Sequence, residues 1–364
     1  MTPQTSERTS MPSLQRAARV TVIGLGGTIA MTTTQGGGVV PALSAEQLMA
    51  AVPGLADTGI DVEVVDFRQV PGASLTFTDL TALADEIRER CAAGVDGVVV
   101  IQGTDTIEET SYFLDLRHDT AQPVVVTGAM RNPTLAGPDG PANLLAAIRT
   151  AAHPTARDLG CLVVFADEIH AAHRVRKTHT TSGSTFQSTN AGPLGYLVEG
   201  HPRILNRPPD RPLLPALGAD TPADVRVGLV TATLGDGGEL LHGLAEHLDG
   251  LVVAAFGVGH VPAIWVAPLQ HLATRIPVVL ASRTGSGPVL AQTYAFPGSE
   301  RDLLDHGLIR AGFLDPLKAR ILLHRLLTAG ADTTAISTAF HTAGGYDAPA
   351  NTADDRPAPT TATR

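Results

Sequence analysis

Val98-Val99-Val100-Ile101-Gln102-Gly103-Thr104-Asp105-Thr106-Ile107-Glu108-Glu109 is the stretch from which the fold can be read. Four β-branched residues in an unbroken apolar run describe a strand covered on both faces, because a half-solvated strand would alternate apolar with polar. Gly103 breaks the run, and a helical segment follows from Ile107. The same succession recurs on either side. Val20–Ile23 runs into Gly24-Leu25-Gly26-Gly27, Val124–Val126 into Gly128, and Leu162–Phe165 ends a further run. Between them, residues 78–93 carry Leu80, Leu83, Ala84 and Ile87 at helical spacing, and residues 141–152 continue Pro-Ala-Asn-Leu-Leu-Ala-Ala-Ile. Strand alternating with helix specifies an α/β fold built on a parallel sheet.

Further along, His201-Pro-Arg, Arg207-Pro-Pro-Asp-Arg-Pro and Thr221-Pro-Ala place prolines that suit neither element, which puts a break near residues 201–224. Alternation resumes with Val227–Val230, Gly250–Ala255 and Pro277–Ala281. A last helix begins at Asp315-Pro316, with Asp as N-cap and Pro at the first helical position. The expected organisation is an N-terminal domain at 18–204, a linker at 205–224 and a C-terminal domain at 225–343. Residues 1–17 and 344–364 are too polar and proline-rich to fold and are expected to be disordered.

The 364 residues carry a formal charge of −10, which disfavours nucleic acid and anionic membranes as partners. Hydrophobic residues make up 43% and charged residues 17%, enough apolar side chain for two cores. No run of apolar residues is long enough for a transmembrane helix, and residues 1–18 contain no apolar leader segment. Two cysteines cannot form a disulfide scaffold, so Cys91 and Cys161 read as buried thiols of a reducing, cytoplasmic compartment. Of 26 basic residues only Lys177 and Lys318 are lysines. In a chain this biased towards arginine, a surviving lysine is a candidate for chemistry that a guanidinium cannot do, such as releasing a proton. Lys318 lies in the first turn of the last helix, beside no other candidate catalytic group, and its expected role is structural.

Several familiar motifs fail on inspection. Gly24-Leu-Gly26-Gly27-Thr28-Ile29 follows a strand, but Ile29 occupies the position where a dinucleotide fingerprint needs a small residue. Asp167-Glu168-Ile-His170-Ala-Ala-His173 has metal-like composition, yet solvated loop residues are the preferred reading, and no metal or other cofactor is expected. The informative spots are Gly26-Gly27-Thr28 and Gly103-Thr104-Asp105-Thr106. Each sets a small hydroxyl at the carboxyl end of a parallel strand, where ligands gather in open α/β sheets. The free N–H groups of the helix after Thr106 face that position and favour developing negative charge, although Thr104 and Asp105 could instead be ordinary helix caps. A threonine hydroxyl needs a positioned base to act as nucleophile, and Lys177 is the applicant. The combination suggests a threonine nucleophile served by a Thr–Asp–Lys relay.

Gly26-Gly27-Thr28-Ile29-Ala30, Gly103-Thr104-Asp105-Thr106, Gly128-Ala129-Met130-Arg131 with Asp139-Gly140-Pro141, Lys177-Thr178 through Asn190 to Tyr196, and Leu314-Asp315-Pro316-Leu-Lys318-Ala-Arg320 together resemble the bacterial-type L-asparaginase family, as a divergent member. The likeness spans residues 18–340 in the family's order. It implies a larger N-terminal α/β domain, a smaller flavodoxin-like C-terminal α/β domain, and a homodimer or homotetramer with sites near an intimate interface. It implies Thr28 as the nucleophile and Thr104, Asp105 and Lys177 as the activating triad. Asp105 would also meet the α-ammonium of the small-molecule amide substrate, and Ala129 would offer its carbonyl to the leaving carboxamide. Either Thr28 forms an acyl ester or a water attacks directly.

The departures are specific. The loop Met31-Thr-Thr-Thr-Gln-Gly-Gly-Gly38 lacks the family's tyrosine, with Thr32, Thr33 or Thr34 as substitutes. The Ser-Gln pair that holds the substrate carboxylate has no clear match in Arg68–Thr76, where Ser74 is the nearest hydroxyl. Gln102 replaces a histidine, and Gly257-Val-Gly-His260-Val-Pro262 lacks the family's asparagines. Asparagine hydrolysis is the leading expectation. The alternatives are hydrolysis or cyclisation of another carboxamide, in a peptide or a biosynthetic intermediate, and a non-catalytic amide sensor.

Overall fold

A run such as Val98–Ile101 buried on both faces can satisfy its backbone only from neighbours on both sides, so it must lie inside a sheet. It does so in the computed structural model, which describes residues 16–26, 31–33, 39–41, 45–50, 52–208, 211–214 and 224–346. In chain order the first domain contains β1 (Arg19–Gly24), β2 (Met31–Thr33), β3 (Val39–Pro41), α1 (Ala45–Ala50), β4 (Asp61–Asp66), α2 (Phe77–Ala92) and β5 (Gly97–Ile101). There follow α3 (Ile107–Asp115), β6 (Val124–Thr127), α4 (Gly140–Ala152), β7 (Cys161–Phe165), β8 (Glu168–Ala171), β9 (Arg176–Lys177), β10 (Phe186–Gln187), β11 (Gly195–Val198) and β12 (His201–Ile204). The second domain contains β13 (Val227–Thr231), β14 (Gly250–Ala255), α5 (Val266–Ala273), β15 (Val278–Ser282), α6 (Glu300–Asp305), β16 (Ile309–Arg310), α7 (Pro316–Thr328) and α8 (Thr333–Ala343).

The large sheet has the order β12-β11-β8-β7-β6-β5-β1-β4. Its strands from β7 through β4 are parallel, whereas β8, β11 and β12 run antiparallel to their neighbours. The domain is therefore mixed rather than purely parallel. The reversal occurs at Ala166 and Asp167, which hold φ of +50° and +63° and close a tight hairpin between β7 and β8. That turn also corrects the loop reading of Glu168–His173. Glu168–Ala171 is a strand, and His170 is wholly buried with its Nδ1 3.0 Å from Ser188 Oγ. Pro202 likewise sits within a strand, at the outer edge of the sheet where a missing N–H is harmless. The smaller sheet, β13-β14-β15-β16, is parallel throughout.

Alternation along β5 divides the core. Val98 and Val100 pack with Leu83 and Ile87 of α2 and Phe113 of α3, while Val99 and Ile101 pack with Leu144, Ala147 and Ile148 of α4. The first of these clusters continues through Ile321, Leu322 and Leu326 of α7 to Val252 and Val279 of the smaller sheet. Helix α7 is thus apolar on both sides and joins the domains through one core. Burying each such side chain contributes about 1.5–3 kcal/mol. Cys91 and Cys161 are free and buried, and burial pushes both thiols up in pKa. Order extends past the expected end of the fold: Phe313 N–H donates to Gly344 O, and the Arg310 guanidinium stacks 3.8 Å from the centre of the Tyr346 ring. Residues 1–15 and 347–364, expected to be disordered, lie outside the described residues. Among the described residues, no helix is long and apolar enough to cross a membrane.

Burial also makes the fold acid-sensitive. It pulls the pKa of His170 from 6.5 to about 4 and, helped by Arg174, that of His173 to about 3. His324 falls to about 4 for the same reason, with Arg320 adding to it. The unfolded chain takes up these protons near 6.5 and the folded chain does not, so the stability they guard is complete above that pH and is lost as pH falls towards 4. For the wholly buried His170 this amounts to about 3 kcal/mol. Asp115 opposes them: burial, offset in part by Arg211, raises its pKa to about 6, so the folded state gains as pH falls through that value. Burial raises Glu108, Glu109 and Glu168 in the same sense but by less, and the three histidines outweigh these carboxyls. The melting temperature is expected to drop by several degrees between pH 7 and pH 5, and a midpoint that holds or rises would contradict this account.

Candidate active site

Strands β1, β5 and β6 end in register, with Gly24 opposite Ile101 and Ile101 opposite Thr127. Their turns therefore emerge at one edge of the sheet. After β5 the chain makes a single tight turn at Thr104–Thr106 before α3 begins. Neither Thr104 nor Asp105 caps that helix: no side-chain cap bond is formed at its start. Their side chains go to Lys177 instead, whose Nζ donates to Thr104 Oγ1 at 3.0 Å and to Asp105 Oδ1 at 2.9 Å. The capping reading of these two residues is thereby excluded.

Lys177 arrives on the two-residue strand β9, paired with β10 so that Lys177 faces Phe186. The Phe186 ring is buried 4.9 Å from that of Phe165, which anchors the hairpin to the domain core. Thr104 is buried, the Lys177 side chain is 14% exposed and the Asp105 side chain 70% exposed. The cluster has a closed floor and an open mouth, and Asp105 is the member that a ligand meets first. Such an arrangement suits proton transfer at a dry hydroxyl beside a solvent-facing carboxylate.

The supporting bonds lie around this cluster. Gln102 is buried and its Nε2 donates to Gly103 O and to Thr106 Oγ1, and the Thr106 hydroxyl in turn donates to Gly72 O. This ties the 72–74 turn to the Gly103 turn. Ser74 lies in that turn, exposed, its N–H bonded to Pro71 O, and it makes no hydrogen bond to Thr104, Asp105 or Lys177. At the end of β1, Gly26 takes φ +93°, and a Cβ there would stand 3.1 Å from Val70 N, so glycine is required by both conformation and space. Thr28 itself lies outside the described residues, as do its neighbours from Gly27 to Ala30 and loop residues 34–38; β2, with Thr32 and Thr33, is described by its backbone.

Ala129 is buried in the turn after β6. That turn is pinned from α4: Asn143 Nδ2 donates to Gly128 O, and the N–H groups of Met130 and Arg131 donate to the two carboxylate oxygens of Asp139. A Cβ on Gly128 would meet Gln102 O at 2.5 Å, so the β5 and β6 turns touch through backbone alone. Gly128→Ala must push them apart, at a cost of about 1–3 kcal/mol, and should lower both the melting temperature and turnover. Wild-type values in both measurements would show that this contact does not matter.

Lys318, expected to stand apart, is instead completely buried behind Lys177. Its Nζ donates to Val175 O at 2.5 Å and to Asp315 Oδ2 at 2.8 Å, and stands 3.6 Å from Glu108 Oε2. The Glu108 carboxylate also meets the backbone N–H of Lys177. Burial alone would raise the Asp315 carboxyl, but Lys318 holds it below its ordinary range, while burial keeps Glu108 above its own. The strand that carries Lys177 is thus fastened to the first turn of α7 in the second domain. Asp139 belongs to the Asp139-Gly140-Pro141 motif, whereas Glu108 and Asn143 carry none of their own. Their sequence signal is an acid or amide in the first turn of a helix that follows a glycine-ended strand. Among the described residues, no group of acids, histidines and cysteines could hold a metal ion.

Comparison with known proteins covers nearly the whole fold. The family model described as Asparaginase, N-terminal, matches residues 19–210, and that described as Glutaminase/Asparaginase C-terminal domain matches residues 226–340. A probable L-asparaginase of Deinococcus radiodurans is 38% identical over 327 residues, which is 88% of this chain and 97% of that protein. L-asparaginase 2 of Escherichia coli is 33% identical over 334 residues, 88% of this chain and 92% of that one. The crystal structure of a probable cytoplasmic L-asparaginase from Campylobacter jejuni matches with a TM-score of 0.79 at 32% identity, covering 89% of this chain and 99% of that one.

Proposed function

The chain belongs to the asparaginase family, and from that premise we propose that it hydrolyses L-asparagine to L-aspartate and ammonia, with Thr28 as nucleophile. The observation that carries this reading is the placement of one lysine Nζ within 3.0 Å of both Thr104 Oγ1 and Asp105 Oδ1. A deprotonated Lys177 accepts the Thr104 proton, and the Thr104 oxygen in turn takes the proton of the attacking hydroxyl. The C–O bond forms at the amide carbon, the oxyanion collapses, and the C–N bond breaks as the relay returns a proton to the departing ammonia. Water then uses the same relay to cleave the acyl–Thr28 ester, releasing the carboxylic acid and restoring the hydroxyl. Asp105, open to solvent, receives the substrate's α-ammonium and orients Lys177. The Ala129 carbonyl accepts from the carboxamide N–H₂, and Ser74 offers the nearest hydroxyl to the α-carboxylate.

A second reading, cleavage or cyclisation of a different carboxamide, is favoured by the exposed Ser74 and by Gln102, whose amide is already committed to Gly103 and Thr106. A sensor without catalysis is disfavoured, because such a protein has no need to keep Lys177 bonded to both Thr104 and Asp105. The deciding assay is ammonia release from asparagine, glutamine, D-asparagine and asparagine-containing peptides. Turnover of asparagine supports the first reading, turnover of peptides alone the second, and turnover of none overturns both. The same premise carries a cytoplasmic homodimer or homotetramer, which light scattering would detect as a mass of two or four chains and contradict as one.

A further inference from the structure

A cavity of about 240 Å³ opens between the two domains and takes no part in the reaction above. Arg174, Arg176 and Tyr112 supply polar groups to its lining, and Phe313, Leu314 and Ala343 supply apolar ones. The Tyr112 side chain is 1% exposed, and its hydroxyl has no hydrogen-bond partner within the protein. Arg176 Nε is also buried without one, its nearest carboxylate, Glu108, standing at 4.0 Å. The Arg174 guanidinium makes one hydrogen bond among the described residues, at 3.3 Å to the neutral Asn206 Oδ1. A buried donor left open is costly, so the Tyr112 hydroxyl and Arg176 Nε, with the weakly engaged Arg174 guanidinium beside them, call for an acceptor.

The charge of the lining states which acceptor. Arg211 adds a third guanidinium, held by Asp115 O and His118 O, and burial keeps the neighbouring His173 neutral with its pKa pulled down to about 3. The one carboxylate in the lining, Asp315, is already engaged by Lys318 and by the N-terminus of α7. Burial raises the Tyr112 pKa well above its ordinary value, so the hydroxyl stays a donor. A planar guanidinium fork matches a carboxylate, and the apolar lining matches a short carbon chain.

We propose that this cavity binds a small organic carboxylate, its head group on Arg174, Arg176 and the Tyr112 hydroxyl and its carbon chain against Leu314, Phe313 and Ala343. Occupancy is felt at the relay, because Arg176 and Lys177 are consecutive residues of β9 with side chains directed to opposite faces. The binding stands on the cavity alone, whereas this coupling rests on the role given to Lys177.

Calorimetry with butyrate as probe tests the binding without any catalysis. Saturable binding is expected, weakened by about tenfold or more in Arg174→Gln and in Tyr112→Phe, the loss of one hydrogen bond to a charged group. Inorganic phosphate, lacking the carbon chain, should bind more weakly than butyrate. Arg174→Lys keeps the charge but not the fork and should also bind less tightly, which covers the case in which Arg174→Gln fails to fold. No saturable binding, or binding undiminished in the variants, overturns the site, and phosphate binding as tightly as butyrate overturns the carboxylate assignment. Butyrate should also shift KM or kcat for the turned-over amide in wild type. Binding without any such shift overturns the coupling.

Discussion

Lys177→Arg is expected to lower kcat by about 10²–10⁴ while leaving the fold intact, the range by which a positioned general base speeds a reaction. The substitution keeps a cation beside Asp105, so an electrostatic role alone would survive it. It removes the one property that distinguishes the lysine, since a guanidinium stays protonated at any pH the protein tolerates. The contacts at stake are the two bonds from Nζ, at 3.0 Å to Thr104 Oγ1 and 2.9 Å to Asp105 Oδ1. Circular dichroism and a wild-type melting temperature would confirm folding. Activity within tenfold of wild type would mean that no proton passes through Lys177.

The second large effect is on stability. Lys318→Met is expected to cost about 3–5 kcal/mol, because it leaves two buried carboxylates without their cation. Asp315 loses the bond that holds its pKa down, and Glu108 loses its nearest positive charge. Val175 O, two residues before Lys177, loses its donor as well. Turnover should therefore fall along with the melting temperature. Neutralising the whole group in Lys318→Met with Asp315→Asn and Glu108→Gln should recover part of the lost stability, since the penalty arises from unpaired charge. A loss below about 1 kcal/mol in the single variant would show that the cluster is not a buried ionic one.

Most of the fold was legible because its strands are unbroken apolar runs, and a run buried on both faces leaves little choice of partner. The antiparallel flank was not legible. Glu168-Ile-His-Ala contains a charge and a histidine, and its strand identity comes from the positive φ at Ala166 and Asp167, which only the folded turn enforces. Pro202 reads as a strand breaker until the sheet places it at an edge. At the site, Lys177 stood out through composition, and Thr104 and Asp105 through their place after a glycine-ended strand. Lys318 offered the same compositional signal, but its partner carbonyl on Val175 is 143 residues away in sequence, so its surroundings became visible only in three dimensions. Ala129 and Asp139 stood in motifs legible in the sequence, but the hydrogen bonds by which Asp139 and Asn143 pin the turn at Gly128–Arg131 belong to backbone geometry, which a residue list does not display.

The central claim is that Thr28 attacks a carboxamide with help from the Thr104–Asp105–Lys177 cluster. The direct measurement is ammonia released from L-asparagine by wild type and by Thr28→Ala, with the acid-quenched wild type examined by mass spectrometry for an aspartyl ester on Thr28. The account predicts release by wild type, its loss in Thr28→Ala, and an added acyl mass on the peptide containing Thr28. Equal release by both proteins, or an acyl mass on any other residue, would contradict it.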